Sequence, residues 1–144
     1  MIGLDFIKQV QSLRLPTTDY LVFGGGCLAA LNLRMAEDID LFITEKLYNR
    51  LLKQGWQETR VGKRKPYLVT NKNGVEIQAF SVWEGEGWQP QIANYFNYPE
   101  IIKGIPFMPL DQLYQWKAAT RRPKDLVDMA LIEVYWQQRR LPMA

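Results

Sequence analysis

The stretch Leu21-Val22-Phe23-Gly24-Gly25-Gly26, followed a short way on by Glu37-Asp38-Ile39-Asp40-Leu41-Phe42-Ile43, decides how this chain is read. Tyr20 to Phe23 is an apolar run that predicts a short strand. The Ala- and Leu-rich Cys27 to Leu33 predicts a helix, and the three glycines between permit positive φ and a close backbone approach to a ligand. Glu37 to Ile43 alternates acidic and apolar residues before turning fully apolar, as a strand entering a core does. Alternate strand residues share a face, so Asp38 and Asp40 point the same way with Cα atoms about 6.5 Å apart, while Ile39, Leu41 and Ile43 face the core. Two like charges so placed ask for a cation between them. Mg2+ or Mn2+ suits the place, because hard cations take carboxylate oxygens, keep several waters and add the oxygens of a nucleotide phosphate. Solvated acids at the mouth of a strand are the plain alternative.

Gly24-x-Gly26-x-x-Ala29 also matches the dinucleotide-binding fingerprint, with an acid at a suitable distance downstream. In that fold the ribose-binding acid ends the second strand, whereas Asp38 and Asp40 precede Leu41-Phe42-Ile43. A phosphate-binding P-loop is excluded because no Gly-Lys-Ser/Thr follows the glycines.

Working outward, Phe6, Val10 and Leu13 are spaced as in a helix that stops before Pro16, and Thr17-Thr18-Asp19 forms a turn. Thr44 is placed to cap a helix from Glu45 to Gln54 that ends at Gly55. Strands are predicted over Gln57–Val61, Tyr67–Thr70 and Val75–Phe80, the last two joined by Asn73-Gly74, a pair favoured in hairpin turns. Glu84 to Pro90 reads as a loop, Pro99 to Pro109 as irregular or short extended chain. Leu110 to Thr120 and Lys124 to about Arg139 read as helices separated by Arg121-Arg122-Pro123. The expectation is one domain over residues 1–144, an α/β core to about residue 109 and a helical part after it.

Composition narrows the chemistry. The 144 residues hold no histidine and one cysteine, which closes imidazole bases, histidine metal sites, internal disulfides and cysteine-rich zinc sites to this chain alone. Catalysis would rest on carboxylates, Lys, Arg, hydroxyls, backbone dipoles or an oxygen-liking cation. A net charge of +3 mildly favours an anionic partner. The start lacks the pattern of a signal peptide, and the longest nearly apolar run, Tyr20 to Leu33, is too short to span a bilayer. The chain therefore reads as cytoplasmic, with no membrane partner and an oligomeric state left open.

The strand, the glycines and the Asp-x-Asp strand resemble the signature of the polymerase-beta-like nucleotidyltransferase superfamily. The tail, Leu113 through Lys117-Ala118-Ala119 and then Arg122-Pro123-Lys124-Asp125-Leu126-Val127-Asp128, is similar to the helical region of small bacterial members, which include toxin-antitoxin and antibiotic-modifying types. The resemblance implies a mixed sheet flanked by helices, and Mg2+-dependent transfer of a nucleoside monophosphate from an NTP to an acceptor hydroxyl of a small molecule, an RNA or a protein. It also implies Gly24, Gly25 and Gly26 at the nucleotide, with Lys117 as a triphosphate contact, and leaves room for an antitoxin-like partner; Arg34, after the glycine helix, is by its position either a second phosphate ligand or a solvated arginine. Members usually carry a third carboxylate on a later strand. Here Gln78 in Ile77-Gln78-Ala79-Phe80 takes that slot, and Glu76, two residues earlier on the same face, is the candidate to replace it as metal ligand or general base. If it does not, the protein is a weak or inactive nucleotide-binding module.

Other features have plainer readings beside the functional ones. Asp125 and Asp128 at helical i, i+3 spacing suit surface ion pairs. Arg60-Val61-Gly62-Lys63-Arg64-Lys65 is either a solvated loop or a guide for an anionic acceptor. Trp83, Trp88, Tyr95, Phe96 and Tyr98 are either core or interface aromatics or a platform for a base. Cys27, with no histidine to activate it, reads as packing.

Overall fold

In the computed structural model, residues 6–85 and 87–140 are described, without the side chain of Arg140. The first residues of the chain and Glu86 of the expected loop lie outside them. Among the described residues six helices and seven strands follow one another: α1 (Phe6–Ser12), β1 (Tyr20–Phe23), α2 (Gly25–Ala30), β2 (Ile39–Ile43), α3 (Glu45–Lys53), β3 (Gln57–Thr59), β4 (Tyr67–Lys72), β5 (Val75–Phe80), α4 (Ile92–Asn97), β6 (Glu100–Ile102), β7 (Ile105–Phe107), α5 (Leu110–Thr120) and α6 (Pro123–Arg140). The strands form one mixed sheet in the order β3-β4-β5-β2-β1-β7-β6. β1 runs antiparallel to β2, which removes the dinucleotide-binding alternative, since that fold starts with parallel strands. β2 lies parallel to β5, and β1 parallel to β7.

The sheet is buried on both faces. Ile39, Leu41 and Ile43 pack on one side with Leu28, Leu47 and Leu51 in a continuous core. Phe42 shares the face of Asp40, two residues away, and there the core is aromatic. Phe23 stacks on Phe42 at 3.9 Å and on Trp116 of α5 at 5.7 Å, while Trp83 meets Phe23, Phe42, Phe80 and Trp116 edge-on. Trp83 and Tyr95 are thus packing residues, while Tyr98 is exposed.

Local chemistry sets the boundaries. The Thr44 hydroxyl accepts the Leu47 N–H at the start of α3, and Gly55, at φ 100°, follows its end. Asn73 and Gly74 both have positive φ, the turn that suits a tight hairpin between β4 and β5. Residues 92–97, for which no element was expected, are helical, and the short extended chain expected from Pro99 to Pro109 is an antiparallel hairpin, β6–β7, turned at Lys103 and Gly104. Among the described residues no helix is long and apolar enough to cross a membrane.

Candidate active site

Three adjacent strands bring the predicted groups to one place. Phe23 of β1 lies opposite Asp40 of β2, and Asp40 lies beside Gln78 of β5. Gly24 directly follows Phe23 with φ 72°, a left-handed conformation that glycine adopts without strain. A Cβ there would stand 3.5 Å from Asp40 Oδ2, so the turn passes directly over that carboxylate. Asp38 precedes β2 by one residue and is half-buried. One step beyond the Ile39–Ile77 pair puts it at the level of Glu76.

The glycines divide in role. Helix α2 begins at Gly25, so only Gly24 uses the left-handed region and the expected three-glycine turn is shorter than it looked. Gly26 is buried, and a Cβ on it would come within 2.4 Å of Phe6 and 2.7 Å of Val22. Its small size is explained by packing against α1 and β1. Gly25 lies under Arg34, whose Nη2 is 2.9 Å from where a Cβ would be.

The acids lie close enough to act on one another through their charges. Burial, then the charges of Asp38 and Glu76, push the Asp40 carboxyl up to about 7, against a smaller opposing pull from Lys124. Burial raises Asp38 too, followed by the charges of Glu76 and Glu37. Glu76 is exposed and accepts a hydrogen bond from Gln78 Nε2 at 3.1 Å. Gln78 therefore occupies the position in register with Asp40, and Glu76 stands one step further along. Among the described residues no three or more Asp, Glu or Cys side chains gather closely enough to hold a metal ion by themselves. A divalent cation here would lean on Asp38 and Asp40 and complete its shell with water and ligand oxygens, which is how Mg2+ is usually held. The donor set fits such an ion: two carboxylates that repel each other, with Lys124 offsetting part of that repulsion.

The two expected phosphate cations are placed differently. Lys117 is buried, its Nζ 2.8 Å from Asp128 and 3.4 Å from Asp125, and so is enclosed by carboxylates rather than free for a triphosphate. Arg34 clamps Asp128 through Nε at 2.7 Å and Nη2 at 2.9 Å, and its Nη1 donates to the Met35 carbonyl. All three nitrogens are engaged within the protein. Asp125 and Asp128 are correspondingly buried, not surface residues. Burial alone would raise both carboxyls. For Asp125, hydrogen bonds from the Arg122 side chain, the Thr120 hydroxyl and the Arg122 amide, together with the Lys117 charge, hold it well below the usual carboxylate range. For Asp128, bonds from Arg34 and Lys117 do the same. Together these groups pin α5 and α6 to the segment that follows α2. Lys124, exposed near the start of α6, is a cation among the described residues whose charge acts against the rise at both carboxyls.

Cys27 is buried, and burial pushes its thiol up, so it is a packing residue. Arg64 and Lys65 of the basic stretch line a cleft of about 180 Å³ that also reaches Gln78, Tyr67, Phe80 and Trp83.

No protein-family model matches the sequence, and no curated protein does. Among solved structures, the chain is similar to a crystal structure of a proposed nucleotidyltransferase from Thermotoga maritima, at 17% identity and a TM-score of 0.57, covering 97% of each chain. The seven-stranded mixed sheet with its flanking helices is a nucleotidyltransferase fold.

Proposed function

We propose that this protein transfers a nucleoside monophosphate from an NTP to an acceptor hydroxyl, releasing pyrophosphate, with Asp38 and Asp40 as the central carboxylates. One observation carries the reading: Gly24 and Asp40 lie against each other, the 3.5 Å approach leaving no side chain between the turn and the carboxylate. A phosphate lying there meets backbone N–H groups of the turn on one side and the acids on the other. Mg2+ or Mn2+ held by Asp38 and Asp40 would supply charge neutralisation and polarisation of the α-phosphoryl group. The acceptor oxygen forms the new bond to the α-phosphorus as the bond to pyrophosphate breaks, and Glu76, exposed on the same strand face, is the proposed base for the hydroxyl proton. Lys124 adds positive charge on the α6 side of the acids. The protein fold aligns and neutralises; no histidine is needed for any step.

The register of Gln78 with Asp40 favours a second reading, a nucleotide-binding module with little or no turnover and an antitoxin-like partner, because a neutral amide stands beside the central acid. Both readings require Mg2+-dependent NTP binding that depends on Asp38 and Asp40. Thermal shift with Mg2+ and each NTP, in wild type, Asp38→Asn and Asp40→Asn, tests that requirement, and pyrophosphate release then separates them. Stabilisation by Mg2+ and NTP that is lost in both variants is expected. Equal stabilisation in all three proteins would overturn the assignment of both acids.

A further inference from the structure

The cleft beside Gln78 has no role in the reading above, and its walls set aromatic rings beside basic side chains. Tyr67 of β4 stacks on Phe80 of β5 at 4.7 Å, and Phe80 meets Trp83 edge-on at 5.2 Å. Arg64 and Lys65 line the same cleft, and Arg60 and Lys63 are exposed in the same loop. The carboxylate of Glu84, also at the cleft, accepts the Lys65 backbone N–H at 2.8 Å and so ties the basic loop to the segment that follows β5. The site is thus a built space between two loops joined to each other. Its volume of about 180 Å³ suits one planar ring system and falls short of the roughly 300–1,000 Å³ of a pocket that encloses a whole drug-sized ligand.

We infer that this cleft is a second ligand subsite that takes the base of a nucleotide unit on its aromatic wall and the attached phosphate on Arg64 and Lys65. Aromatic side chains bind bases through stacking with little dependence on sequence, and paired cations at the rim match a phosphate outside the slot. Its position separates it from the donor. Gly24 flanks Asp40 from β1, whereas the cleft reaches Gln78, one strand away on the opposite flank. Two ligands therefore approach the acids from opposite sides, one at the glycine turn and one at β5. The role of the second as acceptor rests on the proposed transfer; its binding does not. A free nucleotide and the end of an oligonucleotide carry the same unit, and either would satisfy the site.

The test is a titration in EDTA with AMP, CMP and a short oligoribonucleotide, read by tryptophan fluorescence and thermal shift, with inorganic phosphate as control. Saturable quenching by the nucleotides is expected, reduced at least tenfold in affinity in Arg64→Glu/Lys65→Glu, whose exposed positions leave the fold intact. Trp83→Phe should abolish most of the quenching while retaining binding by thermal shift. Stabilisation by Mg2+ and NTP should persist in the double variant, which separates this site from the acids. Tighter binding of the oligonucleotide would assign the source as a strand end, and equal binding a free nucleotide. Nucleotide affinity unchanged in the double variant, or equalled by phosphate alone, would overturn the subsite. Loss of nucleotide binding in Asp40→Asn would make the cleft part of the donor site and overturn it as well. Failure of the transfer reading would show instead as metal-free nucleotide binding without any response to Mg2+ and NTP.

Discussion

At Asp40, burial and then the charges of Asp38 and Glu76 work in the same direction, and the carboxyl is pushed up to about 7. An unfolded aspartate titrates near about 3.9, so between that value and about 7 the native state holds more protons than the unfolded chain. Stability contributed by this group is therefore full below about pH 4 and falls as pH rises through about 7. Asp40→Asn keeps the shape and removes the ionisation. In EDTA the variant should melt several degrees above wild type at about pH 8 and should lose most of the pH slope that wild type shows, measured by thermal denaturation across the range. Mg2+ should raise the wild-type melting temperature most at the alkaline end and leave the variant unmoved. A wild-type slope equal to that of the variant would show that Asp40 does not carry the effect. Gly26 gives a second test at this scale. Gly26→Ala places a methyl on Phe6 and Val22, an overpacking expected to cost about 1–3 kcal/mol by chemical denaturation. A neutral change there would mean that packing against Phe6 and Val22 does not require a glycine.

Helices α5 and α6 depend on each other through charges rather than through apolar stripes alone. Lys117 sits between Asp125 and Asp128, Arg122 and Thr120 close on Asp125, and Arg34 reaches Asp128 from the far side of the chain. Removing Lys117 leaves Arg122 on Asp125 and Arg34 on Asp128 but takes away the buried cation that separates the two carboxylates. Lys117→Met is expected to lower stability by about 3–5 kcal/mol in urea denaturation, far more than a surface pair would. A loss within about 1 kcal/mol would mean that the enclosed lysine is not holding the helices. This cluster also shows where reading by residue type ends. Charged residues are almost always exposed, so Asp125 and Asp128 read as surface groups, and nothing local announces that Arg34 supplies their missing partner. Strands with strong local signals were legible to the residue: Tyr20–Phe23 between a turn and glycines, Val75–Phe80 after Asn-Gly. The short helix α4 has no side-chain cap to mark its start, and β7 carries Pro106, which counts against a strand by pattern. Their place comes from tertiary pairing, β7 against β1 and β6, which a single sequence does not display.

Across the whole molecule the sheet order decides what the site can become. β1, β2 and β5 stand side by side, so a turn glycine, a central acid and a neutral amide form one row, with α5 and α6 locked behind the glycine segment. The spacing of Asp38 and Asp40 was legible because strand alternation is local. The identity of Gln78 as their neighbour was suggested by resemblance and is now placed by register. In the proposed reading, the charge at that one position separates a working transferase from a binding module. Gln78→Asp adds a third carboxylate beside Asp40 and removes the amide that hydrogen-bonds Glu76. Without metal the variant should be less stable than wild type near neutral pH and should lose stability more steeply as pH rises, because like charges are drawn together in a partly buried place. With Mg2+ the order should reverse, since a ligand that binds the native state alone stabilises it in proportion to its affinity. The discriminating readout is pyrophosphate release. An increase of about tenfold or more, together with the larger Mg2+ response, would identify the amide as the element that slows transfer in the wild-type protein. Tighter Mg2+ and NTP binding with no gain in turnover would assign the molecule to the binding reading. An unchanged Mg2+ response would mean that the β5 position does not reach the cation at all, and the third acid would then have to be sought at Glu76.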